Sequence, residues 1–166
     1  MAELFADEEA LERTGDDAIR ELTRRATAAT YYADGLKPEE IGFIERVVRI
    51  SAESAAAAAR SPHQHLVVAM EGANLAGFVI ATVHDEDSRE LDWLMVDPSF
   101  HGSGVAQRLM QAGIAWLGED RAQWLNVVRH NERAIRFYRK HGFEIDPAAQ
   151  CAHAMPHWVM RRPAGS

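Results

Sequence analysis

Apolar residues recur along this chain at two periods, and the switches between them mark its elements. From Asp16 to about Tyr32, Ile19, Leu22 and Ala26 fall three to four positions apart, behind Asp16 and Asp17, where a helix N-terminus favours negative charge. Asp34-Gly35 ends that helix. Pro38 suits the first turn of a second one, along whose inner face Ile41, Ile44, Val48 and Ala52 step. The alanine run Ala55 to Ala59 carries it to Ser61-Pro62. The pattern then shortens to strands: His65 to Glu71 and Leu75 to His84 joined through Gly72-Ala73-Asn74, then Ser88 to Asp97 after the turn Asp85-Glu86-Asp87. A helix is predicted from Gly104 to Leu117, a strand from Ala122 to Val128, and a helix from Asn131 to His141 that Gly142 stops. A short strand from Phe143 to Ile145 and a last one from His153 to Met160 complete the order. Residues 1–15 are ambiguous: Leu11 to Thr14 is a candidate first strand in a stretch whose composition favours helix.

Helices before, between and after strands predict an α+β (α/β) fold with a mixed sheet covered on both faces. The 166 residues are expected to form one domain, with 1–64 as N-terminal helices and 65–161 as the core, without repeats or low-complexity linkers. The formal net charge of −7 argues against affinity for nucleic acid phosphates and suits a cationic acceptor such as an amine. The single Cys151 allows no internal disulfide and no cysteine-rich metal site, which with the absence of a secretory signal pattern predicts a reducing, cytoplasmic setting. No apolar run approaches the roughly 20 residues of a membrane span, so no membrane partner is expected. His153 and His157 stand four apart in a stretch that reads as strand with Pro156 inside, so no metal site is expected. Trp158 and the alanine-rich helix are candidate contacts for a homodimer.

The most informative stretch runs from Leu91 to Leu109. Its strand stops at Asp97-Pro98, since proline has no N–H to give a central strand. A loop with Gly102, Ser103 and Gly104 follows, then a helix carrying Val105, Leu109, Ala112 and Trp116 on one face. The N–H groups at such a helix start lack partners and face an anion well. Gly104 is followed by Val105-Ala106, not Lys-Ser/Thr, so this is no P-loop, and no third glycine completes a dinucleotide fingerprint.

A different pattern fits. Val96-Asp97-Pro98 followed by His101-Gly102-Ser103-Gly104-Val105-Ala106 resembles the "Val-x-Pro" strand end and Arg/Gln-x-x-Gly-x-Gly/Ala loop of the GNAT (GCN5-related N-acetyltransferase) superfamily. Asn131 to Phe143 (NERAIRFYRKHGF) is similar to that family's "N-x-x-A-x-x-F-Y-x-x-x-G-F" segment. The resemblance runs from roughly His65 to Met160. It implies a mostly antiparallel sheet whose parallel fourth and fifth strands splay apart around coenzyme A. It further implies transfer of the acetyl group of acetyl-CoA to an amine by direct attack, without a metal.

By the same resemblance, the loop from Gly102 through Gln107 holds the pyrophosphate. His101 departs from the family's Arg/Gln, and as a largely neutral group at pH 7 it weakens or pH-tunes that grip. Leu94, Met95 and Val96 match the strand whose backbone pairs with pantetheine, and Asn131 matches a cofactor contact. Tyr138, seven residues on and so on the same helix face, matches the acid that protonates the departing thiolate. Glu90, six residues before Val96, and Asp92 are the candidate bases; His84 and a water chain remain open. Asn126 stands where some relatives carry a glutamate, and an amide cannot serve as a base. Tyr31, Tyr32 and Phe43 are candidate lining for the acceptor site. The acceptor is an amine-bearing small molecule, or a protein N-terminus or lysine. A non-catalytic sensor binding coenzyme A is the alternative function.

Overall fold

A computed structural model describes residues 1–165. Seven strands form one sheet in the order β1-β2-β3-β4-β5-β7-β6. They are β1 (Glu3–Ala6), β2 (Gln64–Glu71), β3 (Asn74–Asp85), β4 (Ser88–Val96), β5 (Gln123–Val128), β6 (Glu144–Asp146) and β7 (His157–Arg162). The helices are α1 (Asp7–Thr14), α2 (Asp16–Thr30), α3 (Pro38–Arg60), α4 (Val105–Leu117) and α5 (Glu132–Lys140). All strand pairs are antiparallel except β4 and β5, which run parallel.

Residues 1–15 differ from the expectation. The first strand is Glu3–Ala6, paired with β2 through Phe5↔Val68, while Leu11 to Thr14 lie in α1. The turn between them is made at Asp7, whose φ of +52° is rare for a residue other than glycine but tolerated by Asp. Its carboxylate accepts from the Leu66 N–H at 3.0 Å and lies 3.0 Å from His65 Nδ1. Side chain thus replaces backbone as β2's partner where β1 ends, a contact no local pattern announces. The last strand also starts later, at His157, because Pro156 cannot donate to a ladder. His153 lies in the preceding loop, yet its ring comes 4.7 Å from that of His157. The remaining elements lie within a few residues of their expected bounds.

The apolar faces segregate cleanly. On one side of the sheet Val79, Ala81, Leu91 and Leu125 pack against Leu109, Met110, Ile114 and Ile135 from α4 and α5. On the other, Leu66, Val68, Phe78, Ile80 and Met95 meet Ile19, Leu22, Ala52 and Ala55 from α2 and α3. The alanine run is therefore core: Ala55, Ala58 and Ala59 are buried, since small side chains let α3 approach closely. Trp158 is partly buried beneath the Arg129 guanidinium, 3.9 Å from its ring centre. Both features proposed for a dimer contact pack within this chain.

Two details shape the middle of the sheet. A bulge on β4 places Asp92 between the pairs Ala81↔Leu91 and Ile80↔Trp93. Strict alternation would put Leu91 and Trp93 on one face; the extra residue sends Leu91 to α4 and Trp93 to the α2/α3 side. Second, β4 and β5 share a single register pair, Glu90↔Trp124. Beyond it the strands separate, leaving Leu94 to Val96 with β3 on one side and no strand on the other.

Candidate active site

The gap opens into a cavity of about 510 Å³, walled by β4, β5, the loop before α4, the end of α2 and α5. The loop begins where Asp97 caps a single 3-10 turn, Pro98–Phe100, accepting from the Ser99 N–H at 3.0 Å. Gly102 (φ +81°) and Gly104 (φ +88°) adopt conformations that side-chain-bearing residues resist, and a Cβ at either would meet open space. The constraint there is backbone conformation together with room for a ligand. From Gly104 the chain enters α4, so the N–H groups of Val105, Ala106 and Gln107 have no helical carbonyl to donate to.

Most residues expected to hold a cofactor converge on this cavity. Leu94, Met95 and Val96, then His101, Gly102, Gly104, Ala106 and Gln107, and finally Asn131 all line it. Ser103 and Val105 do not. The exposed Ser103 hydroxyl donates back to the Phe100 carbonyl at 2.5 Å, and the Val105 side chain is buried in the core. Asn131 caps α5, its Oδ1 accepting from the Ala134 N–H at 3.2 Å, while still bordering the cavity.

Tyr138 lines the cavity from α5 and Tyr31 from the end of α2. Burial raises both phenols, Tyr31 to about 12, and Tyr138 is raised further by the neighbouring Tyr31. Each therefore holds its proton at neutral pH. Of the other aromatic candidates, Tyr32 is 47 % exposed, and Phe43 packs against His153 and His157 at 5.3 and 5.4 Å.

The two carboxylates lie apart from the lining residues. Glu90 is 6 % exposed, with its carboxyl 2.8 Å from His84 Nε2. Burial, reinforced by the charge of Asp92, pushes it up to about 7, against the pull of His84. Asp92 accepts from the Thr82 hydroxyl at 3.2 Å and is likewise raised, first by desolvation of its carboxyl. Asp92 as a residue is exposed, with its carboxylate held against the Thr82 hydroxyl. Asn126 connects this region to the cavity: it lines the cavity and lies 3.3 Å from His153 Nε2, and Asp92 acts electrostatically on that same histidine. Its Oδ1 is buried without a hydrogen-bond partner among the described residues.

The sequence reading did not single out the cavity's cations. Arg133, Arg136 and Lys140 border it, whereas among the described residues no carboxylate does. Their spacing of three and four places them on one face of α5, a signal available in the sequence. Among the described residues, no group of three or more His, Cys, Asp or Glu could hold a metal ion, and no helix is long and apolar enough to cross a membrane.

A glycine-bearing loop lies above two diverging parallel strands, with phenols along the gap and cations at its edge, and the cleft between them is open to an extended ligand. The model of the Acetyltransferase (GNAT) family matches residues 17–143, and the chain belongs to that family. It is 33% identical over 87 residues to an uncharacterized N-acetyltransferase of Mycobacterium tuberculosis, covering 51% of this chain and 56% of that protein. A mycothiol acetyltransferase of Propionibacterium freudenreichii is 38% identical over 85 residues, 48% of this chain and 27% of that one. The chain thus spans about half or less of the length of these relatives. Among solved structures, the PaiA N-acetyltransferase of Thermoplasma acidophilum in complex with coenzyme A superposes with a TM-score of 0.74 at 19% identity, covering 97% of this chain and 99% of that one. The ribosomal-protein-S18-alanine N-acetyltransferase of Escherichia coli gives 0.63 at 18% identity, covering 100% and 96%. At such identities these likenesses establish a common fold and nothing finer.

Proposed function

We propose that this protein transfers the acetyl group of acetyl-CoA to the amine of a small molecule or peptide. The observation that carries the reading is the separation of β4 from β5 beside a glycine loop, with Tyr138 facing the gap. The residues fit the cofactor: the edge of Leu94 to Val96 opposite β3 lacks a strand partner and suits the amides of a pantetheine arm. The N–H groups of Gly102, Gly104, Ala106 and Gln107 suit a diphosphate, those of Ser103 and Val105 donating to the Phe100 carbonyl and the Ser103 hydroxyl.

Acetyl-CoA supplies an activated thioester. The attacking amine must be neutral, the forming oxyanion needs a donor, and the departing sulfur needs a proton. A backbone N–H on the free edge of β4 serves as the oxyanion donor. As the new C–N bond forms and the C–S bond breaks, Tyr138 gives its proton to the thiolate, and solvent water returns a proton to the phenolate once the thiol leaves. The proton lost by the amine passes through ordered water to the Glu90–Asp92 pair. His84, 44% exposed at its side chain and hydrogen-bonded to Glu90, then hands it to solvent.

Glu90, near pH 7, is matched to that task in a way an ordinary carboxylate is not. A sensor that binds without turnover would have no use for a protonated phenol in the cleft or a carboxylate tuned to neutrality. The test is thiol release from acetyl-CoA over a panel of primary amines and N-terminal peptides. Release above the hydrolytic background with at least one acceptor is expected; binding of acetyl-CoA without release for every amine would favour the sensor.

A further inference from the structure

The chain carries 25 acidic and 18 basic side chains, yet among the described residues three cations and no carboxylate border its cavity. On α5 the contrast holds within two turns. Arg139, facing away from the cavity, pairs with Glu144 at 3.5 Å, whereas Arg133, Arg136 and Lys140 pair with no carboxylate among the described residues. Arg133 instead donates to Nδ1 of His101 at 3.1 Å, reaching from α5 to the loop before α4. His101 is in turn held below its ordinary pKa by burial and by Arg133, with Asp97 opposing, and so stays a neutral acceptor that orients the guanidinium. The loop's backbone amides supply only neutral donors. The side-chain positive charge at this end of the cavity comes from α5.

We propose that Arg133, oriented by His101 and backed by Arg136 and Lys140, binds the ribose phosphomonoester of coenzyme A, so that this enzyme selects coenzyme A over its 3′-dephospho form. The inference rests on the cleft being the coenzyme A site. A diphosphate in the loop engages backbone N–H groups at the start of α4, whereas a phosphomonoester carries roughly two further negative charges. It needs side-chain cations with freedom to close on it. An arginine offers a planar pair of donors suited to phosphate oxygens. His101 is a positioning residue here, since it acts through Arg133.

Calorimetric titration of coenzyme A and of 3′-dephospho-coenzyme A into the wild-type protein, Arg133→Gln, Arg133→Lys and Arg139→Gln tests this. Wild type is expected to prefer coenzyme A by about tenfold or more, the effect of losing one charge-assisted phosphate contact. The preference should shrink to within a few fold in Arg133→Gln, recover in part in Arg133→Lys, and persist in Arg139→Gln. Affinity for the dephospho form should be nearly the same in all four. Equal affinity of wild type for the two ligands overturns the proposal and leaves the cleft assignment standing. Equal weakening of both ligands in Arg133→Gln overturns it as well, showing a general effect on the loop. If wild type binds neither, both the cleft assignment and the proposal fail.

Discussion

At the scale of single residues, the chemistry rests on side chains whose proton affinity is set by burial. Tyr138 keeps its proton at rest because burial disfavours the phenolate; under the proposed mechanism that proton goes to the departing sulfur. Tyr138→Phe is expected to lower kcat by roughly a hundredfold or more while changing acetyl-CoA affinity by no more than a few fold; steady-state kinetics with direct titration separates the two. Glu90 works in the opposite sense. As the base it must be ionised, so kcat/KM should fall about tenfold per pH unit below about 7, and Glu90→Gln should remove that acidic limb. Its folded pKa exceeds the ordinary glutamate value, so the fold favours the protonated form. The stability this contributes is present below about pH 4.5 and lost as pH rises toward 7. Glu90→Gln should therefore raise the melting temperature more at pH 8 than at pH 5. The tyrosine was legible from its place in the α5 pattern. The tuning of Glu90 was not, because it depends on a bulge and on His84 across the strand pair.

Elements fit together here through a few close approaches. A Cβ on Gly113 of α4 would come 2.5 Å from the Leu91 side chain, and one on Gly77 of β3 would meet the Met95 carbonyl at 2.8 Å and Leu109 at 2.9 Å. These two glycines let α4 lie close to β3 and β4, which fixes where its N-terminus meets the cavity. Gly77→Ala, facing unyielding backbone, should destabilise by about 1–3 kcal/mol, whereas Gly113→Ala, facing a leucine tip, should cost less; denaturant melts of the two compare them. Arg25 on α2 ties that helix to the loop, its guanidinium 2.6 and 3.0 Å from the Asp97 carboxylate that caps the turn. Elements with a strong period, α2 through α5 and β2 through β5, could be read from sequence because one face of each meets a core. β1 could not. Its bounds depend on Asp7 bonding to β2, a contact between distant segments. The start of β7 follows from Pro156, a local signal given too little weight against the apolar run after it.

For the whole molecule, the consequential fact is that the single sheet is held across its middle by little strand pairing. Strands β1 to β4 and β5 to β7 share one register pair, Glu90↔Trp124, and rely on α4 and α5 packed across the remainder. An extended ligand between β4 and β5 would supply part of the missing pairing. At a hundredfold excess over its Kd, acetyl-CoA should stabilise the fold by about 2.7 kcal/mol, a rise in melting temperature on the order of 5–10 °C for a chain of this size. Free pantetheine, lacking the phosphates, should give far less. The gap itself was inferred from the family's motifs; no periodicity in β4 or β5 shows that the strands part. The most direct test follows backbone amide NMR signals while acetyl-CoA is added. The account predicts saturable shifts centred on Gly102 to Gln107, Leu94 to Val96 and Asn126 to Val128. Saturable shifts clustered elsewhere, with those amides unmoved, would contradict it.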